Sequence, residues 1–101
     1  MAQFDVHRLP HGQGSILVVD LQNGLFEALA TRVAAPLYPL AANDKPVQRL
    51  NPIVEIDGTR YLLVIQEMSA LRLKSLGAKV ASVAGQRDEI VAAIDFLITS
   101  I

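Results

Sequence analysis

The Asp57-Gly58 dipeptide, set between two apolar runs, constrains the fold more than any other feature of the sequence. Residues 52–56 precede it and residues 59–65 follow it, and both runs are rich in isoleucine, leucine or valine. A two-residue type I′ turn needs positive φ at both central positions, which Asp and Gly adopt at low steric cost. The sequence therefore predicts a tight antiparallel hairpin, to which the other elements have to fit.

Two more strands are predicted near the start of the chain. Phe4 and Val6 alternate with polar neighbours, which is the pattern of a strand with one buried face. Residues 15–22 are too apolar for a half-solvated strand, so they predict a strand covered on both faces. Residues 9–14 contain a proline and two glycines and predict a loop between the two.

The middle of the chain is less regular. Residues 25–29 fit a short helical turn or a loop, and residues 32–36 fit another strand. The prolines at 36, 39 and 46 favour an excursion around residues 41–44 over a central strand. Residues 68–80 predict a crossing connection and a short strand.

The last part of the chain predicts an amphipathic helix. On a wheel of about 100° per residue its apolar side chains form a stripe about 120° wide, the width of a face that packs on a core. Asp88 and Glu89 fall in the first turn, where the helix dipole favours negative charge. Phe96 lies off the stripe and is free to pack on its own chain, on a second subunit or on a foreign partner. The stripe consists of Ile90, Val91, Ile94, Leu97, Ile98 and Ile101.

These elements predict one domain, residues 1–101, of the mainly β (α+β) class: a small antiparallel barrel or sheet with a C-terminal helix packed on it.

The chain has 9 basic and 10 acidic residues without a run of either sign, so nucleic-acid binding is not expected. It has no cysteine, which excludes disulfides and thiolate sites. The N-terminus has no apolar signal region, and the apolar runs, such as residues 16–19, are far below the roughly 20 residues that span a bilayer. We therefore expect a cytoplasmic protein.

No motif in the sequence indicates catalysis. There is no phosphate-binding glycine loop, no His-x-x-x-His pair and no nucleophile elbow. His7 shares a predicted strand face with Gln3 and Asp5, and an Asp-x-His pair can orient a general base or begin a metal site. A solvated strand face is the favoured interpretation of this pair. His11 is expected at the surface, and no cofactor or metal is predicted.

A nuclease that works by phosphate contact is the one enzymatic alternative from the residues themselves. Thr31, Arg32 and Arg60 could serve it, but the sequence offers no base partner for them.

A set of short motifs, in order along nearly the whole chain, resembles the CcdB family of plasmid and chromosomal toxins. The motifs are Gln3-Phe4-x-Val6, Val19-Asp20-Leu21-Gln22, Arg32-Val33-x-x-Pro36-Leu37, Leu50-x-Pro52-Ile53-Val54-x-Ile56, Met68, Leu76-Gly77-x-x-Val80-Ala81 and a helix ending in Ile101. The resemblance implies an SH3-like barrel with a C-terminal helix, assembled as a homodimer. It implies binding rather than catalysis: such toxins bind the DNA gyrase A subunit and trap the cleaved complex. A CcdA-like antitoxin would neutralise the toxin with a disordered segment that orders on contact.

The resemblance also implies a set of gyrase-binding residues. Thr99, Ser100 and Ile101 match a terminal Trp-Gly-Ile of the family, so that only the isoleucine is retained. The other matching positions are Asp95, Leu25, Phe26, Gln3 and Phe4. Because the tail lacks the tryptophan anchor, two alternatives to a gyrase toxin stay open: a non-toxic or altered-target binding module, and a MazF- or Kid-like endoribonuclease on the same fold.

Overall fold

The structure is a computed structural model that describes residues 2–99. In these residues the strands are β1 (Asp5–His11), β2 (Gly14–Asp20), β3 (Thr31–Pro39), β4 (Ile53–Ile56), β5 (Thr59–Leu63), β6 (Ser69–Arg72) and β7 (Lys79–Ser82). One α-helix, α1 (Arg87–Thr99), follows them. Short 3₁₀ turns lie at Gly24–Phe26, Ile65–Glu67, Leu73–Ser75 and Ala84–Gln86. No helix in the described part of the chain is long and apolar enough to cross a membrane.

The strands form one antiparallel sheet that curls into a half-barrel. Their order is β4-β5-β3-β2-β1-β7. β6 lies off this path and pairs with the same edge of β3 as β5 does. β6 takes the first part of that edge, up to Ala34, and β5 takes the last part, from Leu37. The predicted mainly β fold with a C-terminal helix is confirmed.

The hairpin at Asp57-Gly58 is also confirmed. β4 and β5 pair with Ile56 opposite Thr59, which leaves only the dipeptide in the turn. Asp57 has φ 51° and Gly58 has φ 81°, the two positive values that a type I′ turn requires.

The predicted loop at residues 9–14 is wrong in extent. β1 continues through Pro10 to His11, which pairs with Gly14, so the turn consists of Gly12 and Gln13 alone. Gly12 has φ 60°, a conformation that glycine adopts without a steric penalty.

The predicted strand over residues 32–36 and the predicted excursion around residues 41–44 are both confirmed, because β3 spans Thr31–Pro39 and no strand lies among the described residues between Pro39 and Ile53. β3 runs past its predicted end, so it contains both Pro36 and Pro39. Pro36 falls where β6 has ended and β5 has not begun. Its carbonyl accepts a hydrogen bond from Val64 N, so its nitrogen, on the same edge, faces the gap between the two partner strands. The missing N–H therefore removes no ladder hydrogen bond.

The sheet buries side chains on both faces. The core face carries Val6, Val19 and Leu37, and its apolar cluster includes Ile90 and Ala93 of α1. The opposite face, here called the second face, carries the residues that alternate with these. Val18 on the second face is 2% exposed and Val19 on the core face is 0% exposed, so the end of β2 is covered on both sides, as predicted.

Residues 68–80 contain two strands, β6 and β7, rather than the single short strand expected. The predicted crossing connection is present as residues 73–78, which lead from the β3 side of the sheet to the far side of β1. Gly77 N donates to Arg8 O at 2.7 Å, and a Cβ on Gly77 would lie 2.9 Å from that oxygen. The connection therefore runs too close to β1 to carry a side chain at this position.

α1 uses a face slightly different from the one predicted. Ile90 and Ala93 are 0% exposed, whereas Ile98 is 65% exposed, so the placement of Ile98 on the buried stripe is wrong. The wheel ranks positions by hydrophobicity, but the small Ala93 side chain lets the helix approach the sheet and turns the buried face toward it. Ile101, the other end of the stripe, lies outside the described residues.

Replacing Gly58→Ala is expected to lower the free energy of unfolding by about 1 kcal/mol, because alanine is strained at positive φ. Gly24→Ala is the matched control, since a Cβ at Gly24 meets no atom within 4 Å and its φ is not positive. Urea unfolding of both variants measures the difference, and equal midpoints would contradict the turn assignment.

Candidate functional site

The loop between β2 and β3, residues 21–30, carries the most exposed large apolar side chains near the predicted site. Leu25 is 85% exposed, Phe26 is 53% exposed and Leu29 is 52% exposed. Leu25 and Phe26 lie in the 3₁₀ turn Gly24–Phe26, which settles the choice between turn and loop in favour of a turn at this point. Clustered apolar exposure of this kind marks contact surfaces more often than isolated exposed leucines do.

Polar side chains hold this loop in one shape. Asn23 Oδ1 accepts from Leu25 N at 2.9 Å and so caps the 3₁₀ turn. The Gln22 amide bridges the two ends of the loop: its Nε2 donates to Phe26 O at 2.9 Å and its Oε1 accepts from Val33 N at 3.1 Å. The exposed pair is thus presented by a hydrogen-bonded scaffold.

Two buried charged residues, Asp20 and Arg32, form hydrogen bonds with the backbone of the loop. Asp20 is 1% exposed, and its Oδ1 accepts from Gln22 N at 2.9 Å. Arg32 is 2% exposed, and its Nη2 donates to Glu27 O at 3.0 Å. Asp20 and Gln22 are not among the site residues predicted above, although a carboxylate at the end of an apolar strand is a signal that could have indicated Asp20.

The burial of Arg32 bears on the nuclease alternative. Its guanidinium binds a backbone carbonyl inside the protein. Arg60 lies beside the other end of β3, where Tyr61 pairs with Pro39. Seven residues of strand separate Arg32 from Pro39, about 23 Å at 3.3 Å per residue. The two arginines therefore do not converge on one phosphate.

Gln3 and Phe4 have different environments. Gln3 is half-buried, and its Nε2 donates to Leu21 O at 3.1 Å, which places it against the start of the β2–β3 loop. Phe4 is 3% exposed, belongs to the apolar core and has φ 70°. Its ring therefore offers almost no surface to a partner in this structure.

The end of α1 supplies the remaining predicted site residues. Asp95 and Thr99 are exposed, and Thr99 Oγ1 donates to Asp95 O at 2.7 Å. Ser100 and Ile101 lie outside the described residues. Within residues 2–99, no hydrogen bond or salt bridge joins this helix end to the β2–β3 loop.

Phe96 packs on its own chain, one of the three possibilities that the sequence left open. The Arg49 guanidinium carbon lies 4.6 Å from the centre of the Phe96 ring, within the range of a cation–π contact. This contact leaves Phe96 half-buried rather than fully covered.

The interpretation of Asp5 and His7 as a solvated strand face is wrong. Both are 4% exposed, because residues 77–79 pair with β1 at this point. Asp5 forms a salt bridge with Lys79 at 3.3 Å, and His7 Nδ1 lies 3.0 Å from Gly77 O. His11 is exposed, as expected. The part of the chain that the structure describes contains no group of three metal-ligating residues.

A largely apolar groove of about 460 Å³ borders the β2–β3 loop. The 3₁₀ turn after β6 forms one wall, and Leu73 N donates to Ala30 O at 2.8 Å at its base. The lining residues are Ala30, Thr31, Arg72, Leu73 and Lys74. The groove begins at Ala30, the residue after Leu29, and Arg72 and Lys74 add two positive charges to its border.

Comparison with known proteins identifies the family. The model of the CcdB protein family matches residues 3–100, so the chain belongs to this family, as the sequence motifs predicted. A search of curated proteins found no match. Among solved structures, an endoribonuclease in complex with its cognate antitoxin, from a mycobacterial species, has a TM-score of 0.76 at 16% identity, covering 94% of this chain and 91% of that chain. At this identity the likeness concerns the fold alone.

The Asp5→Asn substitution is expected to remove stability that depends on the carboxylate charge. Burial raises the pKa of Asp5, but the Ala2 N–H and the Lys79 ammonium together outweigh burial and hold the pKa below its ordinary value. A lowered pKa adds stability above the unfolded-state value of about 3.9, and this stability is lost as the pH falls through the lower folded-state value. The variant should thus unfold at a lower temperature than the wild type near neutral pH.

The difference in melting temperature should shrink as the pH falls below about 4, where the unfolded state takes up a proton first, and should be lost once the pH is below the lower folded-state pKa of Asp5. Circular dichroism melts at several pH values measure it. Glu55→Gln is the control, since Glu55 is an exposed carboxylate on β4. A difference that stays constant down to pH 2.5 would contradict the assignment.

Proposed function

We propose that this member of the CcdB family is the toxin of a type II toxin–antitoxin pair that binds the DNA gyrase A subunit and traps the gyrase–DNA cleavage complex. The observation that carries the proposal beyond family membership is the exposed pair Leu25 and Phe26 on a hydrogen-bonded loop. These are two of the positions that the family resemblance assigns to gyrase binding.

The hydrogen bonds within the β2–β3 loop support a binding role. An interface that is ordered before contact loses less conformational entropy when the partner binds. Exposed leucine and phenylalanine side chains supply apolar area, and each is worth about 1.5–3 kcal/mol when fully buried. The β2–β3 loop can therefore compensate for part of the anchor that the tail lacks.

The helix end is the second part of the proposed gyrase surface. Asp95 and Thr99 are accessible there, and the sequence continues with Ser100 and Ile101. Gln3, beside Leu21, would extend the contact from the loop. In this proposal Phe4 acts through the core, where it supports the strand next to Gln3, and not by direct contact.

We further propose that the toxin acts as a homodimer in the cytoplasm and is neutralised by a CcdA-like antitoxin. The mycobacterial neighbour was solved with its cognate antitoxin, which makes this kind of partner a natural expectation for the fold. A disordered antitoxin segment would gain affinity by covering apolar surface such as the loop and its groove.

Binding rather than catalysis is the proposed mode of action. The separation of Arg32 from Arg60 and the burial of the Arg32 guanidinium favour binding over an RNA-cleaving site built from these residues. The neighbour that is an endoribonuclease does not favour RNA cleavage here, because the likeness is one of fold.

The Leu25→Asp substitution is expected to weaken binding to a gyrase A fragment by tenfold or more, because it places a charge in the centre of the proposed apolar contact. It should leave the melting temperature almost unchanged, since Leu25 is 85% exposed. Val47→Asp is the matched control: Val47 is 49% exposed on a different loop and is absent from the proposed surface. Isothermal calorimetry and thermal melts measure the two quantities.

A cellular experiment tests the function as a whole. Induced expression of the wild type should arrest growth and accumulate cleaved DNA bound to gyrase, and Leu25→Asp should relieve both effects. Growth without any effect, combined with tight antitoxin binding, would favour the non-toxic binding module instead. Cleavage of single-stranded RNA by the purified protein would favour the endoribonuclease.

A further inference from the structure

Three buried polar side chains on the second face of the sheet each keep one atom without a hydrogen-bond partner among residues 2–99. The atoms are His7 Nε2, Asp20 Oδ2 and Arg32 Nε. The side chains are 4%, 1% and 2% exposed, respectively. A buried polar atom without a partner costs about 1–3 kcal/mol, so three in one protein of this size require an explanation.

The strand register brings these side chains together. His7 is opposite Val18 on β2, two residues before Asp20, so His7 and Asp20 are diagonal neighbours on the second face. Asp20 is opposite Ala34 on β3, two residues after Arg32, so Asp20 and Arg32 are diagonal neighbours as well. Diagonal pairs have Cα atoms about 7–8 Å apart, within reach of long side chains. Asp20 therefore lies between His7 and Arg32.

The three free atoms have complementary hydrogen-bonding roles. The Gly77 carbonyl only accepts, so His7 Nδ1 carries the proton that it donates at 3.0 Å, and Nε2 is left for another partner. Asp20 Oδ2 is an acceptor and Arg32 Nε is a donor. A water molecule donates two hydrogen bonds and accepts others, so bound water matches this set and a direct cation or anion does not.

We propose that His7, Asp20 and Arg32 enclose a buried water site, and that this hydrated cluster positions the β2–β3 loop. The cluster connects β1, β2 and β3, and it reaches Gly77 of the crossing connection through His7. Buried waters of this kind make about three hydrogen bonds to otherwise unpartnered polar groups. Asp20 and Arg32 are positioning residues in this proposal and do not contact the partner.

The link from the cluster to the loop is direct. The second oxygen of Asp20 holds Gln22 N, and the Nη2 group of Arg32 holds Glu27 O. Gln22 and Glu27 flank the exposed pair Leu25 and Phe26. The water site therefore fixes both side chains that fix the loop, and its meaning for partner recognition rests on the function proposed above.

Amide hydrogen exchange on the full chain tests the positioning role without any partner. In Arg32→Lys, which keeps the charge but loses the forked guanidinium, exchange at Gln22 and Glu27 should rise by about tenfold or more. Exchange at Leu62 in β5 should stay the same. Arg60→Lys, on the exposed β5 position, is the control and should leave all three amides unchanged. Equal increases at Leu62 and at the loop in Arg32→Lys, or no increase at the loop, would overturn the positioning role.

The water site itself has an independent test on the wild type. A high-resolution crystal structure should contain a water molecule within hydrogen-bonding distance of Asp20 Oδ2 and of at least one of His7 Nε2 and Arg32 Nε. Direct contact of Asp20 Oδ2 with Arg32 and no enclosed water would overturn it. This measurement also decides the question if Arg32→Lys does not fold.

Binding experiments separate this inference from the proposed function. If the wild type binds the gyrase A fragment, Arg32→Lys should weaken binding although Arg32 is buried, and Arg60→Lys should not. If the wild type does not bind gyrase A at all, the proposed function fails, while the exchange and crystallographic results still decide the water site.

Discussion

The division of one edge of β3 between two partner strands is the constraint on which the rest of the structure depends. Because β6 takes the first part of that edge and β5 takes the last, β3 joins two portions of the sheet. The break between them accommodates Pro36, and the position of β6 forces the chain to cross toward β1 before β7 can pair. That crossing brings Gly77 beside His7 on the second face, which also carries Asp20 and Arg32.

The two faces of the sheet are stabilised by different interactions. On the core face, apolar side chains from the sheet and from α1 pack together, and their stability comes from burial of area. On the second face, charged groups are buried and their stability depends on specific hydrogen bonds. The β2–β3 loop is hydrogen-bonded to Asp20 and Arg32 of this second face. The backbone conformation that exposes Leu25 and Phe26 therefore depends on polar contacts, which require specific distances and angles.

The features that were predictable from the sequence are the local ones. The Asp57-Gly58 hairpin depends on two φ values, and the C-terminal helix depends on a periodicity within one segment. The features that the sequence did not reveal depend on pairing between distant segments: the extension of β3 through Pro39, and the burial of His7. The exposed Leu25 and Phe26 were found from the family resemblance. Arg32 was considered only as a phosphate ligand, because nothing in its neighbours along the chain indicates that its side chain is buried and binds Glu27 O.

The close passage of Gly77 beside Arg8 has a consequence for the genetics of this protein. Any side chain at position 77 would meet a backbone oxygen that cannot move away, and the connection would have to lift from β1 together with the carbonyl that binds His7. A substitution at Gly77 should therefore act through the fold as a whole and not through one exposed position. A change that compensates for it would have to lie within the same chain.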